Sequence, residues 1–479
     1  MKKYLSLIIS CLLIVSFFPF NVTAESEKGF KYSVIGNQAL IEEVDENIYG
    51  EVSVPETLGG YPVVSILDYA FREADIKSIK LPNTIAFIGE GAFMNCEKLE
   101  KINIPMGVKE IKKDTFSQCY SLKEIKLSGT VTLICGNAFF SCDALEKIDI
   151  SGVTNIEFSA FRNCKKLGSV IFSQSLETIG ESAFFGCTSL KEISIPSSVS
   201  YIGYDAFSTC NSLEKIKVDK NSKYFSSVDD VLYNEDVTEL YQYPLGKTAT
   251  SYVMPKTVER VQWGAFSGST FLKSITVNFI GTERNGEFST GFISIFGDKI
   301  PSNIETVILK DIETVPANSF SDCSKIKKIV LPQTVTEIGE YAFAGCTSLT
   351  SINIPNNLKS IGSGAFKGCT SLKKIILPKG VKEGKNLFEG ADNVKVTYKY
   401  KTEEKSEQNE SQSTSDKEVS SQVTEISPDD NKTTTEPENT HSKKEDKLYK
   451  NLVIVLLGIT ASALLIRFIL ICMKKKHSD

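Results

Sequence analysis

The sequence predicts a repeat solenoid: stacked coils with a parallel β-sheet on the concave face, short helical or turn segments opposite, and one transmembrane helix near the C-terminus. Three observations carry that expectation. The phrase "IGEGAFMNCEKLEKINIP", from Ile88, returns as "IGESAFFGCTSLKEISIP" from Ile179, "IGEYAFAGCTSLTSINIP" from Ile338 and "IGSGAFKGCTSLKKIILP" from Ile361. Its phenylalanine recurs at 71, 93, 116, 139, 161, 184 and 207, then at 266, 320, 343 and 366, with a degenerate copy at Phe388; within runs the interval is 22 or 23 residues. Residues 452–473 are mostly apolar and, at about 1.5 Å per residue, just cover a hydrocarbon core of about 30 Å.

A unit this short cannot bury its apolar face alone, so the stack itself is the core, and the period lies in the range of leucine-rich repeats. In "LEKINIP" the alternation turns Ile102 and Ile104 inward and Lys101 and Asn103 outward, giving one strand per coil. The proline that follows (Pro105, Pro196, Pro332, Pro355, Pro378) has no N–H to donate and ends the ladder. The Ala-Phe pair is expected on the opposite wall, its rings stacking through the interior. With strands about 4.8 Å apart, a dozen coils make a curved rod about 60 Å long.

Nine of the twelve cysteines, at 96, 119, 142, 164, 187, 210, 323, 346 and 369, follow the repeat phenylalanine by three residues. Export invites a disulfide reading. An odd number of thiols, each wanting the same place in its own coil, argues instead for a ladder of buried free thiols that hydrogen-bond weakly to the adjacent turn backbone. No CxxC pair or histidine accompanies them, so no metal is expected. Cys135 lies outside the ladder, and Cys11 and Cys472 fall in the membrane-directed segments.

This phrase resembles the BspA-type leucine-rich repeat, also called the Treponema pallidum type, over about residues 60–390. The resemblance implies an extracellular recognition or adhesion role, with host-matrix proteins, host cells or other microbes as partners, and assigns no individual binding residues. Departures occur where the usual Ile-Gly becomes Ile-Lys at Ile111, Ile-Glu at Ile156 and Val-Gln at Val261.

The ends set the expected topology. Residues 1–24 have a basic start, an apolar run and a small-residue exit, the layout of a secretory signal peptide. Residues 25–59 read as a strand-rich cap, 60–217 as repeats, 218–255 as a hairpin-like insertion, and 256–400 as repeats with a degenerate coil and a C-terminal cap. Residues 401–451 hold almost no large apolar side chain and are expected to be a disordered linker. The span at 452–473 precedes Lys474, Lys475 and Lys476, which would mark a short cytoplasmic tail at 474–479 and leave the ectodomain outside a cell membrane crossed once.

Two interruptions break the array. The insertion, with a turn at Asn234-Glu235-Asp236, concentrates Tyr224, Phe225, Tyr233, Tyr241, Tyr243 and Tyr252. Aromatics with a polar handle suit interfaces, but the favoured reading is that they fill a small local core where the solenoid widens. The second interruption, about residues 278–302, reads as a degenerate coil with an enlarged loop.

Enzymatic chemistry is not expected. The only histidines are His441 and His477, so the repeats hold no Ser/His/Asp or Cys/His arrangement, and buried thiols stay protonated. Adjacent carboxylates such as Asp229 and Asp230 read as solvated turn residues. With 54 basic against 59 acidic residues, no nucleic-acid partner is indicated. A binding module fits better, with Lys101, Asn103, Glu124, Lys126, Lys147 and Asp149 in outward rows on the strand face and Tyr224, Phe225, Tyr241 and Tyr243 in the insertion as candidate ligand-binding residues. The expected ligand is an extracellular protein or glycan, without cofactor. The alternative is a structural envelope protein acting by solenoid self-association.

Overall fold

The computed structural model describes residues 25–284, 291–297 and 299–399, all within the first of the two units into which the chain divides, Met1–Glu404. The expected signal peptide, linker, span and tail lie outside the described residues. Among the described residues no helix is long and apolar enough to cross a membrane. The predicted fold class is corrected to a β-solenoid with no membrane-crossing helix among the described residues, and those residues give the predicted single-pass membrane placement no support.

The chain enters through an antiparallel hairpin, Phe30–Ile35 with Gln38–Val44, turned by Gly36 and Asn37, both at positive φ. This pattern matches the right-handed twist of the flanking strands. Gln38–Val44 then pairs in parallel with Tyr61–Ile66, which pairs with Phe87–Ile88, and Phe30 leans over Phe71 at 6.3 Å. The hairpin closes one end of the apolar column.

Each regular coil contributes two strands, where the sequence suggests one. Longer strands such as Ile76–Lys80, Lys101–Asn103 and Glu124–Lys126 stack in parallel with Ile79, Ile102 and Ile125 in register. A second ladder of two-residue strands, Glu110–Ile111, Leu133–Ile134, Asn155–Ile156, Thr178–Ile179 and Tyr201–Ile202, aligns the isoleucine position that precedes a glycine at Gly180 and Gly203. Between them the chain turns at the proline, whose carbonyl accepts the amide three residues on, as from Val108 to Pro105 (3.1 Å) and Val199 to Pro196 (3.2 Å).

The segment carrying Ala-Phe is turn, not helix. The only helix among the described residues is a 3-10 turn, Phe292–Phe296. The residues two before and two after each repeat phenylalanine have positive φ: Asp114 and Gln118 about Phe116, Asn137 and Ser141 about Phe139, Ser159 and Asn163 about Phe161. This left-handed region favours Gly, Asn and Asp and cannot be part of a right-handed helix. The amides of Gly91, Phe93 and Asn95 therefore leave their own coil and donate to the carbonyls of Lys113, Thr115 and Ser117 (2.9 Å each). Those of Ala92 and Met94 close local turns onto Gly89 and Gly91. Alternate amides thus bind the next coil, where a helix would spend them all internally.

The repeat glycine has a steric reason. A Cβ on Gly180 would lie 2.5 Å from the Glu157 carbonyl carbon and 2.6 Å from the Phe158 nitrogen of the preceding coil, whereas one on Gly129 would meet nothing within 4 Å. Gly180→Ala is expected to cost about 1–3 kcal/mol by overpacking, with Gly129→Ala near neutral. Urea unfolding of the two variants checks this; equal midpoints would refute close backbone approach as the reason for the glycine.

The insertion proves to contain a coil. Phe225–Val228 and Val231–Asn234 form a hairpin turned by Asp229 and Asp230, both at positive φ, and Val231–Asn234 turns back against Glu239–Gln242. Glu239–Gln242 then runs parallel to Arg260–Val261 as a solenoid strand. The Asn234 side chain holds the second turn, accepting the amides of Thr238 (2.9 Å) and Glu239 (2.7 Å). Alternation along Val231–Asn234 divides the core: Leu232 packs into the apolar column behind it, Val231 and Tyr233 into the one ahead.

Candidate functional site

The interior of the solenoid is inert by construction. The rings of Phe93, Phe116, Phe139, Phe161 and Phe184 stack at 5.1–5.5 Å with interplanar angles of 4–11°. Beside them all ten described cysteines are free and buried. Cys96, Cys119, Cys142, Cys164, Cys187 and Cys210 each donate Sγ–H to the carbonyl of the phenylalanine one coil back, at 3.0–3.2 Å. Cys346 and Cys369 do the same toward Phe320 and Phe343. This is the unbridged thiol ladder the spacing predicts. Burial pushes the Cys96 and Cys210 thiols up to about 12, so neither is a nucleophile at neutral pH. Among the described residues no group of three or more His, Cys, Asp or Glu could hold a metal ion.

The chemistry available to a partner is on the surface. Lys101 and Asn103 lie beside Glu124 and Lys126 in register, followed by Lys147 and Asp149 on the next coil, and all six side chains are exposed. They are only lightly committed. Lys126 and Glu124 approach to 3.9 Å, and Asp149 accepts the Ser151 amide at 2.9 Å. Two shallow grooves cross this face, one of about 630 Å³ over Glu51, Lys80, Lys101 and Asn103, the other of about 570 Å³ over Glu124, Lys126, Lys147, Asp149 and Ile171. Ile171, 55% exposed, gives the second groove an apolar wall.

The insertion aromatics do not form one surface. Phe225 and Tyr243 are buried, which removes them from any contact with a ligand. Tyr243 stands where a repeat phenylalanine would stand: it stacks on Phe266 at 5.1 Å, and its amide donates to the Ala265 carbonyl as the phenylalanines do in their own coils. Tyr241 is half-buried, edge-on to Phe225 at 5.3 Å, and Tyr224 is exposed. Tyr201, Tyr204 and Trp263 are also exposed, and sequence reasoning passed over them. A signal existed: Tyr204 and Trp263 hold the position three before the column ring, which is Glu90, Lys113, Glu181 or Glu340 in other coils.

A family model described as the BspA type leucine rich repeat region, in six copies, matches residues 51–168, 138–243 and 294–426. The chain belongs to the BspA-type leucine-rich repeat family. A leucine-rich repeat protein from Bacteroides ovatus is 30% identical over 78% of this chain and 100% of its own, with a TM-score of 0.61. A leucine rich cell surface protein from Faecalibacterium prausnitzii is 27% identical over 81% of this chain and 97% of its own, with a TM-score of 0.50. No curated protein matches the chain. The BspA-type family is one of bacterial surface leucine-rich repeat proteins, a scaffold for protein interaction. In this member the scaffold consists of the two ladders and the apolar column, with the outward rows and grooves lying upon it.

Proposed function

We propose that the protein is a non-enzymatic surface binding module, an adhesin that takes host-matrix, host-cell or microbial surface partners on its strand face. The observation that carries this reading is the set of exposed residues on successive coils, Lys101 and Asn103 in register with Glu124 and Lys126, and Lys147 and Asp149 on the next coil. Their charges alternate along a rigid sheet, and few of them are consumed by partners within the chain. Membership in a bacterial surface family supports it, since stacked repeats offer an extended face to one partner. Mixed signs suit orientation and specificity of docking more than bulk affinity.

The triple variant Lys101→Glu, Lys126→Glu, Lys147→Glu tests the proposal. These side chains are exposed, so the urea midpoint should move little, each change being worth within about 0.5 kcal/mol. Retention on immobilised matrix proteins or partner cells should fall about tenfold or more, with a steeper loss at low salt. Undiminished retention would remove the strand face from the binding site. Concentration-dependent self-association that disappears in the variant, with no retention on any surface, would favour the envelope role.

A further inference from the structure

The strand face carries a different charge before and after the hairpin. In the coils before it, charged residues that meet in register have opposite signs: Lys101 stands against Glu124, and Glu192 against Lys215. The same row in the coils after it runs Ser274, Thr306, Lys328 and Ser351 in register, followed by Lys374 and Lys395, which oppose one another on the last two strands. Lys373 flanks the row, its carbonyl accepting the Lys395 amide at 2.9 Å, and Lys399 closes the final strand. These lysines are all exposed, and none makes a salt bridge among the described residues. Glu305, at the edge of this face, is taken by Lys327 at 2.7 Å. The other carboxylates of these coils lie elsewhere, Glu337 and Glu383 on the ladder of two-residue strands, Glu340 and Glu389 on the turn wall.

Stability does not account for this arrangement. Strands lie about 4.8 Å apart, and like charges directly opposite one another weaken a sheet. Among the described parallel pairs of the strand face, Lys374 and Lys395 are the charged pair of equal sign. A ligand that brings negative charge to them removes the repulsion. Lysine is a compact point charge with three donors, suited to the oxygens of a sulfate or phosphate, and no arginine stands in the row to grip such groups in pairs. Tyr398, the exposed ring of the last strand, is turned to Glu383 on the other ladder at 2.9 Å, so no platform for nucleobases lies among the lysines. Thr306 and Ser351 place hydroxyls in the same row, which suits a sugar backbone better than a bare polyphosphate.

We propose that the strand face of the last coils, around Lys328, Lys374 and Lys395, binds a sulfated polysaccharide chain. Laid across the strands, the chain passes three strand spacings, about 14 Å, from Lys328 to Lys395. Its sulfates accept charge-assisted hydrogen bonds from the ammonium groups, and its hydroxyls meet Ser351. The site is on other coils than Lys101 to Asp149 and stands whether or not that face binds a partner.

The full-length protein is titrated with a heparin dodecasaccharide at about 50 mM and about 300 mM NaCl, beside the same oligosaccharide stripped of sulfate, and beside duplex DNA, polyphosphate and polyglutamate at matched charge. Heparin should bind, more weakly at the higher salt, and the desulfated oligosaccharide should not. Lys374→Ser combined with Lys395→Ser introduces the residue that fills this row at Ser351 and should weaken heparin binding about tenfold or more, with the urea midpoint unchanged or raised as the opposed charges are relieved. Lys328→Ser, outside that pair, should weaken it about threefold on its own. The triple variant of Lys101, Lys126 and Lys147 should bind heparin within about twofold of the parent, its charges lying well beyond a screening length. No binding of heparin, equal or tighter binding of DNA, polyphosphate or polyglutamate, heparin affinity that survives both lysine variants, or its loss in the triple variant overturns the proposal.

Discussion

Phe161→Ala is expected to lower the unfolding free energy by about 3–5 kcal/mol, the range for truncating a fully buried aromatic side chain. The position is unfavourable for relaxation. Phe161 is flanked by Phe139 and Phe184, each 5.1 Å away, at interplanar angles of 4° and 7°. Its amide is also tied to the Ala183 carbonyl at 2.8 Å, so the backbone cannot collapse into the void without breaking the turn ladder. Phe388 provides the contrast. Among the described residues it stacks on one ring only, Phe366 at 5.6 Å, and it is half-buried, so Phe388→Ala should cost less than half as much. Because coils are stabilised by their neighbours, the central variant should also broaden the urea transition, as the halves on either side of the gap uncouple. Equal costs at the two positions would mean that the column is not a continuous packing unit.

The sequence made visible which side chains are buried and much less of how the backbone runs between them. Alternation at Ile102 and Ile104 and the recurrence of Phe and Cys depend only on side-chain polarity, which a repeat displays many times over. The expectation of a helical or turn segment at Ala-Phe came from that same polarity, which left the two open because it does not separate a turn ladder from a helix. The residues that decide it are those two before and two after the ring, filled by Asn, Asp, Ser and Gly in most coils because they sit at positive φ. That column was present in the sequence. Tyr243 was obscured for a different reason: an insertion displaced it from the regular interval, and a hydroxyl on its ring disguised it as an interface residue. The hydroxyl is buried and has no hydrogen-bond partner among the described residues, a cost the packing of the ring against Phe266 and Tyr252 offsets.

Alkaline solution should dismantle the solenoid at a pH that ordinary folds tolerate. An exposed thiol in the unfolded chain titrates near about 8.5. Burial holds Cys96, Cys210, Cys323 and Cys369 up to about 12, and pushes Cys119, Cys142, Cys187 and Cys346 well above the usual range. Above pH 8.5 the folded state therefore keeps protons that the unfolded state has lost, and stability falls with rising pH. The stabilisation is complete below the unfolded value and is lost progressively toward the folded one. Each thiol contributes a slope of about 1.4 kcal/mol per pH unit in that window. The nine-thiol column would thus exceed a typical total stability of about 5–15 kcal/mol within roughly one to two units. Cooperative loss of structure is expected between about pH 9 and 10.5, before the buried Tyr233 and Tyr243 hydroxyls contribute, since tyrosine in an unfolded chain titrates near about 10. Replacing Cys142 and Cys187 by alanine should lower stability at neutral pH through cavity formation and yet make the alkaline slope shallower, by the share of two thiols. Iodoacetamide at pH 8 should leave the column unlabelled until denaturant is added. A flat stability profile from pH 8 to 10, or labelling of the native column, would show that the thiols are not held in a dry interior.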